Sequence, residues 1–263
     1  MTLATTLDMP RHRAGLREAM GAEWQKLVTL RSTKWALLVA FVGTVLVSFL
    51  STNSARHQTA NFYQGFDPTN ASLAGFALAS LIIGILGVLS MTGEYGSGTI
   101  RSSLAATPNR SVFLGAKAVV LGAFALVLGM VLSFLSFFVG QAVLSGGAPT
   151  ATLGDPGVLR ALVESGAFLA LLALFGLGIG AIIRHSAGSI AVFVGCTLLV
   201  PLLLHNVAGN PSRFMPVMLL ANSVAAVVPI SGALSSTAAF LLMTLYTAVA
   251  LTVGAAFLNR RDA

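Results

Sequence analysis

Glu94 is the only carboxylate between Asp67 and Asp155, and it stands in a Gly-rich, basic interval with Arg101, Arg110 and Lys117. That interval, residues 92–117 (TGEYGSGTIRSSLAATPNRSVFLGAK), separates two long apolar runs. Its glycines first suggest phosphate chemistry, because Gly93 and Gly98 have the spacing of G-x-x-x-x-G-K-[ST]. However, Thr99 occupies the position of the phosphate-binding lysine, and a long apolar run stands where the strand of an α/β domain is required. Any ATP used by this protein is therefore expected to be hydrolysed on another chain. No metal site is expected either: no two of His12, His57, His185 and His205 have ligand spacing, and Cys196 is alone in an apolar run. The cores of the apolar runs hold no Asp, Glu, Lys or Arg, which argues against proton relays, ion-coupled transport and intramembrane hydrolysis. No catalytic residue is assigned, and the interval reads as a mechanical part.

The elements that position it are membrane helices. Hydrophobic residues make up 56% of the chain and charged residues only 9%, with a mean hydropathy of +0.89, too few charges for a soluble surface. Spans are expected at about 35–51, 71–91, 116–140, 166–183, 189–204 and 237–258. Each approaches the ~20 residues that cross a hydrocarbon core, and none shows the alternation of a barrel strand. The expected fold is an all-α membrane protein with six transmembrane helices, an N-terminal amphipathic interfacial helix and a cytoplasmic hairpin. Residues 1–34 form a basic arm, 35–258 the membrane domain and 259–263 a tail. Within 205–236, the apolar stretch 215–228 is short and interrupted by Asn222, which suits a re-entrant or interfacial helix on the outer side.

Charge sets the orientation. With six spans, both termini share a side with the 92–117 hairpin and the 184–188 turn. Twelve of the fifteen basic residues fall there; only Arg56, Arg160 and Arg213 lie opposite. The positive-inside rule makes the hairpin side cytoplasmic, so the net charge of +7 reports topology and not nucleic-acid binding. The arm has Leu16, Met20, Trp24, Leu27 and Leu30 at helical spacing through 16–33, with Trp24 suited to the headgroup zone. The outer loops 52–70 and 141–165 read as ordinary surface turns.

Small residues mark expected helix contacts: Ser80, Gly84 and Gly87 in the second span, and Gly176, Gly178 and Gly180 in the fourth. Phe124, Phe134, Phe137 and Phe138 read as bundle core or lipid contacts. In the hairpin, Gly93, Gly96 and Gly98 are expected to break the helix after Met91. A short helix then runs over 99–106, capped by Thr99 and stopped before Pro108, and Asn109-Arg110-Ser111 restarts the chain towards the third span. A short helix across the ends of two spans is well placed to be pushed by a cytosolic partner.

The order of these parts resembles the type-2 ABC transporter permease family. The basic segment EWQKLVTLRSTKW, with Glu23, Trp24, Lys26 and Arg31, leads into the first span, and the second ends in GEYGSGTIRSSLAATPNRSVFLGAK. Glu94, Gly98, Thr99, Pro108, Arg110, Gly115 and Lys117 match the family pattern. The resemblance implies the membrane subunit of an ABC exporter in the cell membrane. Two permeases, identical or siblings, would associate with two copies of an ABC ATPase subunit that carry the ATP and magnesium, leaving no cofactor on this chain. It further implies that the short helix docks on the ATPase, so that Tyr95, Ile100, Arg101 and Leu104 join the coupling surface, with Glu94 holding the hairpin through Arg101 or Arg110. The uncharged spans favour a hydrophobic or amphipathic cargo. The alternatives are a stand-alone channel or facilitator without ATP coupling, in which the hairpin is a connector, and a membrane-bound enzyme, which the missing constellation disfavours.

Overall fold

The computed structural model describes residues 15–58, 60–204, 211–226 and 234–260. Arg11, His12, Arg13, His205, Pro229, Arg261 and the rest of the tail lie outside the described residues, as does the end of the 215–228 stretch. Among the described residues the chain is helical with no strand, and six helices are long and apolar enough to cross a membrane.

The first of these is preceded by α1 (Leu16–Thr29). Sequence spacing suggests one helix over 16–33, but Leu30 is extended and breaks it, so α2 (Arg31–Arg56) begins at a corner. The second span is also displaced from 71–91. A short α3 (Pro68–Ser72) stands ahead of it, and Leu73–Gly75 makes a bend before α4 (Phe76–Gly96). At that bend Gly75 lies against the Thr44 carbonyl of α2, where any Cβ would overlap it.

The hairpin helix α5 (Ile100–Ala106) leads to α6 (Arg110–Leu144), which the Asn109 side chain caps by accepting from the Ser111 and Val112 amides. The long α7 (Val158–Ile183) ends at Arg184, held at φ 64°. The fifth span is α8 (Ser186–Val194), a π-helical turn (Gly195–Leu199) and α9 (Val200–Leu204). Pro201 has no N–H to give the carbonyl of Thr197, and the π turn falls just where that bond is missing. The last elements are α10 (Pro216–Val224) and α11 (Ser236–Arg260).

The central helix is α7, packed by α4, α6 and α11; α2 lies on α4 and α6, and α8 lies on α4. Two thirds of the apolar stretch of α7 is buried, against 22% for α2 and for the fifth span. Those outer helices present faces such as Leu38, Val42 and Leu46, or Leu202 and Leu203, to the surroundings. In a membrane they need no polar cover, since lipid tails are as apolar as leucine.

A Cβ on Gly176 would overlap the Gly84 carbonyl, one on Gly87 the Ala173 carbonyl, and one on Gly180 would stand 2.9 Å from the Val88 carbonyl. Gly84 itself lies under the Phe193 ring of α8. Phe137 is core and Phe138 is exposed, as a helix with one bundle face requires.

At the end of the bundle away from the hairpin, the loops are more than surface turns. The buried Asp67 carboxylate accepts from the Thr69 and Asn70 amides at 2.9 and 3.1 Å, which starts α3, and its second oxygen accepts from the Ala226 amide at 2.8 Å. Arg160 donates to the Ala225 carbonyl at 2.8 Å and pairs with Glu164 at 2.9 Å. The segment leaving α10 is therefore fastened to two elements distant in sequence. Asp67→Ala removes a cap and leaves the partly buried Ala226 amide without its acceptor, a loss of about 1–3 kcal/mol. Hydrogen exchange should accelerate at residues 69, 70 and 226 together.

Candidate functional site

Glu94 is where the chain concentrates its charge. Both Arg101 and Arg110 were its expected partners, and neither pairs with it. Arg101 is exposed on α5, and Arg110 turns towards α11. The partners are Lys26 and Lys117. Glu94 Oε1 accepts from Lys26 Nζ at 2.7 Å and from Lys117 Nζ at 2.8 Å. Glu23 completes the ring, with Oε1 accepting from Lys26 at 2.7 Å and Oε2 from Lys117 at 2.6 Å. Two carboxylates and two ammonium groups alternate, so the ring is electrically neutral. It joins α1, the end of α4 and the start of α6.

The ring is buried: Lys117 is 2% exposed, and Glu23 and Glu94 are each 7% exposed. Charges taken this far from water are tolerated only when fully paired. Phe113 adds its ring face 5.3 Å from Lys117 Nζ. Lys26, partly exposed, also reaches Ser103 Oγ of α5 at 3.4 Å. Burial alone would lower the Lys26 pKa, but its bonds to Glu23 and Glu94 outweigh that and raise it above the ordinary 10.5. The sign is that of a cation gaining partners. Its stabilising contribution is complete below the unfolded value and is lost as pH rises through the folded one, in an alkaline window above 10.5. Release of α1 measured against pH should therefore show no step from this group at neutral pH.

The hairpin itself differs from expectation in two details. Gly93 and Gly96 do not break α4, which continues to Gly96; the break comes at Gly98, whose φ of +72° a side chain would disfavour. Thr99 begins α5 without a side-chain cap, its hydroxyl bonding instead to Ser97 Oγ at 2.8 Å. Ile100 is buried beneath α5 and Leu104 is half-buried, while Arg101, Ser102, Ala105 and Ala106 face outward. Pro108 is exposed after the helix has ended, as expected.

A second connection was not foreseen. Arg110 donates to the Leu258 carbonyl at 2.6 Å, and Arg184 donates to the Phe257 carbonyl at 2.8 Å. Two cations thus hold the last carbonyls of α11, where the helix dipole favours positive charge. The Arg184 guanidinium also lies 5.3 Å from the centre of the Tyr95 ring. Tyr95, Arg110 and Arg184 therefore tie the hairpin to the end of the sixth span. Because Arg184 is left-handed, Arg184→Gly should be more stable than Arg184→Ala by about 1 kcal/mol, although both lose the guanidinium. Thermal unfolding of the two variants checks the order.

Of the arm residues, Glu23 and Lys26 enter the ring, Trp24 packs edge-on to Phe124 with centroids 6.2 Å apart, and Arg31 opens α2, exposed. The buried line of α1 is Ala19, Glu23 and Leu27, while Leu16, Trp24 and Leu30 remain about half exposed. Among the described residues no group of His, Cys, Asp and Glu is arranged to hold a metal.

Residues 19–200 match the family model described as ABC-2 family transporter protein, a stretch that runs from α1 through the hairpin to the fifth span. The chain belongs to the ABC-2 transporter family. It is a multi-pass membrane protein and a permease component of an ABC transporter. No curated protein matches the chain. All four members of the ABC-2 chain's charge ring lie within the matched stretch, whereas the α11 carbonyls held by Arg110 and Arg184 lie beyond it.

Proposed function

We propose that this chain is the membrane-spanning permease subunit of an ATP-driven exporter, with α5 as the helix that docks on a separate ATPase chain. The observation that carries this reading is the neutral, buried ring of Glu23, Lys26, Glu94 and Lys117. A solvated connector needs no such anchor. A helix that must receive a push and pass it to two spans does, because force is transmitted only through a fixed attachment. Ile100 fixes α5 from beneath while Arg101, Ser102 and Ala105 are left on the outside for a partner.

In this reading ATP and magnesium are bound by two ATPase subunits, and each permease, paired with a second copy or a sibling, forms half of the pathway. Residues 1–34, 92–117 and 259–263 are cytoplasmic, 205–236 is external, and the bilayer is the cell membrane. The distribution of basic residues supports that orientation. Closure of the ATPases would press α5 and rock α4 and α6 through the ring, and α11 through Arg110 and Arg184. The uncharged span cores support a hydrophobic or amphipathic cargo.

Affinity purification from native membranes in mild detergent tests the reading. A stoichiometric cassette ATPase, whose hydrolysis is stimulated by this chain and lost in Thr99→Trp, is the expected result. Recovery of the chain without an ATPase, or full stimulation and transport in both Glu94→Ala and Thr99→Trp, would overturn it.

A further inference from the structure

An open groove of about 640 Å³ runs between α1 and α6. Met20, Gly21 and Trp24 form one wall, and Ala123, Phe124 and Val127 are among the residues of the other. The lining is apolar and α6 is a membrane span. One turn before Gly21, on the same face of α1, stands Arg17 (i and i+4). Arg17 is exposed and pairs with no carboxylate among the described residues. Glu18, the acid of that turn, folds its carboxylate back over Gly15. The sequence ahead adds Arg11 and Arg13 against the single acid Asp8.

We propose that this groove holds one acyl chain of an anionic phospholipid, with Arg17 bound to its phosphate. Filling an apolar groove with an acyl chain gains little over leaving that chain in the bilayer, because both surroundings are hydrocarbon. Selection must therefore come from shape and headgroup. The T-shaped Trp24–Phe124 contact fixes the two walls against each other, and Gly21 leaves room in the α1 wall, since a Cβ there would meet no atom within 4 Å. The arm would then be anchored twice, through its charge ring to the bundle and through a bound lipid to the leaflet. The inference needs only that the chain is embedded in a membrane, and holds or fails apart from the transport reading.

Fluorescence quenching in reconstituted vesicles tests it. The full chain carrying Trp35→Phe keeps Trp24 as its only tryptophan. It is placed in phosphatidylcholine containing phosphatidylglycerol, with dibrominated acyl chains on one lipid or the other. Brominated phosphatidylglycerol should quench Trp24 with an apparent affinity about fivefold above that of brominated phosphatidylcholine, the effect of roughly one cationic contact at an anionic surface. Arg17→Gln should bring that ratio towards one. Gly21→Leu, or Ala123→Leu from the opposite wall, should reduce quenching by both lipids. Equal quenching by the two lipids in the parent chain, or undiminished quenching in both groove-filling variants, would overturn the proposal. Neither result depends on ATP, cargo or a partner subunit.

Discussion

Lys117→Met should loosen the hairpin by about 3–5 kcal/mol, the cost of leaving a buried charge without its partner. The substitution keeps most of the aliphatic stem, so the charge, with its contact to the Phe113 ring face, is what is lost. Glu23 and Glu94 would then face each other with only Lys26 between them. Amide exchange over residues 97–109 reads the result, since about 3 kcal/mol corresponds to more than a hundredfold increase in local opening. The double variant Glu94→Gln with Lys117→Met removes one charge of each sign and should be less damaged than the sum of its parts. A coupling of at least about 1 kcal/mol in that cycle is expected. Additive costs would mean that the two residues act separately and the ring is not a unit.

Gly176→Val should be among the most damaging substitutions in the span interior. A Cβ there would overlap the Gly84 carbonyl and stand 3.1 Å from the Val88 amide nitrogen, and neither backbone group can rotate away. Inserting three carbons into such a contact costs at least the ~1–3 kcal/mol of ordinary overpacking, because α4 and α7 must separate along their length. Gly93→Ala is the matched control. Gly93 is helical and a Cβ on it would meet nothing within 4 Å, so alanine should be neutral or stabilising by up to about 1 kcal/mol. Thermal unfolding in detergent distinguishes the two. Equal effects would mean that glycine matters here for helix propensity and not for contact.

The contrast between these glycines shows what a sequence can and cannot convey. Spans are legible because burial in lipid demands long apolar runs, and all six appear, displaced at their ends by up to eight residues. The contact glycines are legible because small-xxx-small spacing puts them on one helix face. The breaking glycine is not: Gly93, Gly96 and Gly98 look alike in a string, and only the backbone shows that Gly98 alone carries the positive φ. The charge ring was half legible. Glu94 and Lys117 stand in one polar interval, but Lys26 is 68 residues from Glu94 and Glu23 is 94 from Lys117. Sequence proximity favoured Arg101 and Arg110, while the fold gave Arg110 to the end of α11. One signal was present: Glu23 and Lys26 sit at i and i+3 in the helix before the first span, beside a face that must be buried against something. Asp67 gave less, because its amide partner at Ala226 is set by tertiary packing alone.

The central claim is that α5 is the docking element and that the ring holds it for that purpose. Photo-cross-linking in native membranes tests this most directly, with a benzophenone amino acid at Ala105 on the outer face of α5 and, for comparison, at exposed Leu153 at the other end of the bundle. The predicted result is an adduct with a cassette ATPase from position 105 only, its yield changing with ATP and falling sharply when Lys117→Met is added. No ATPase adduct from position 105, or an adduct whose yield is unaffected by Lys117→Met, would contradict the account.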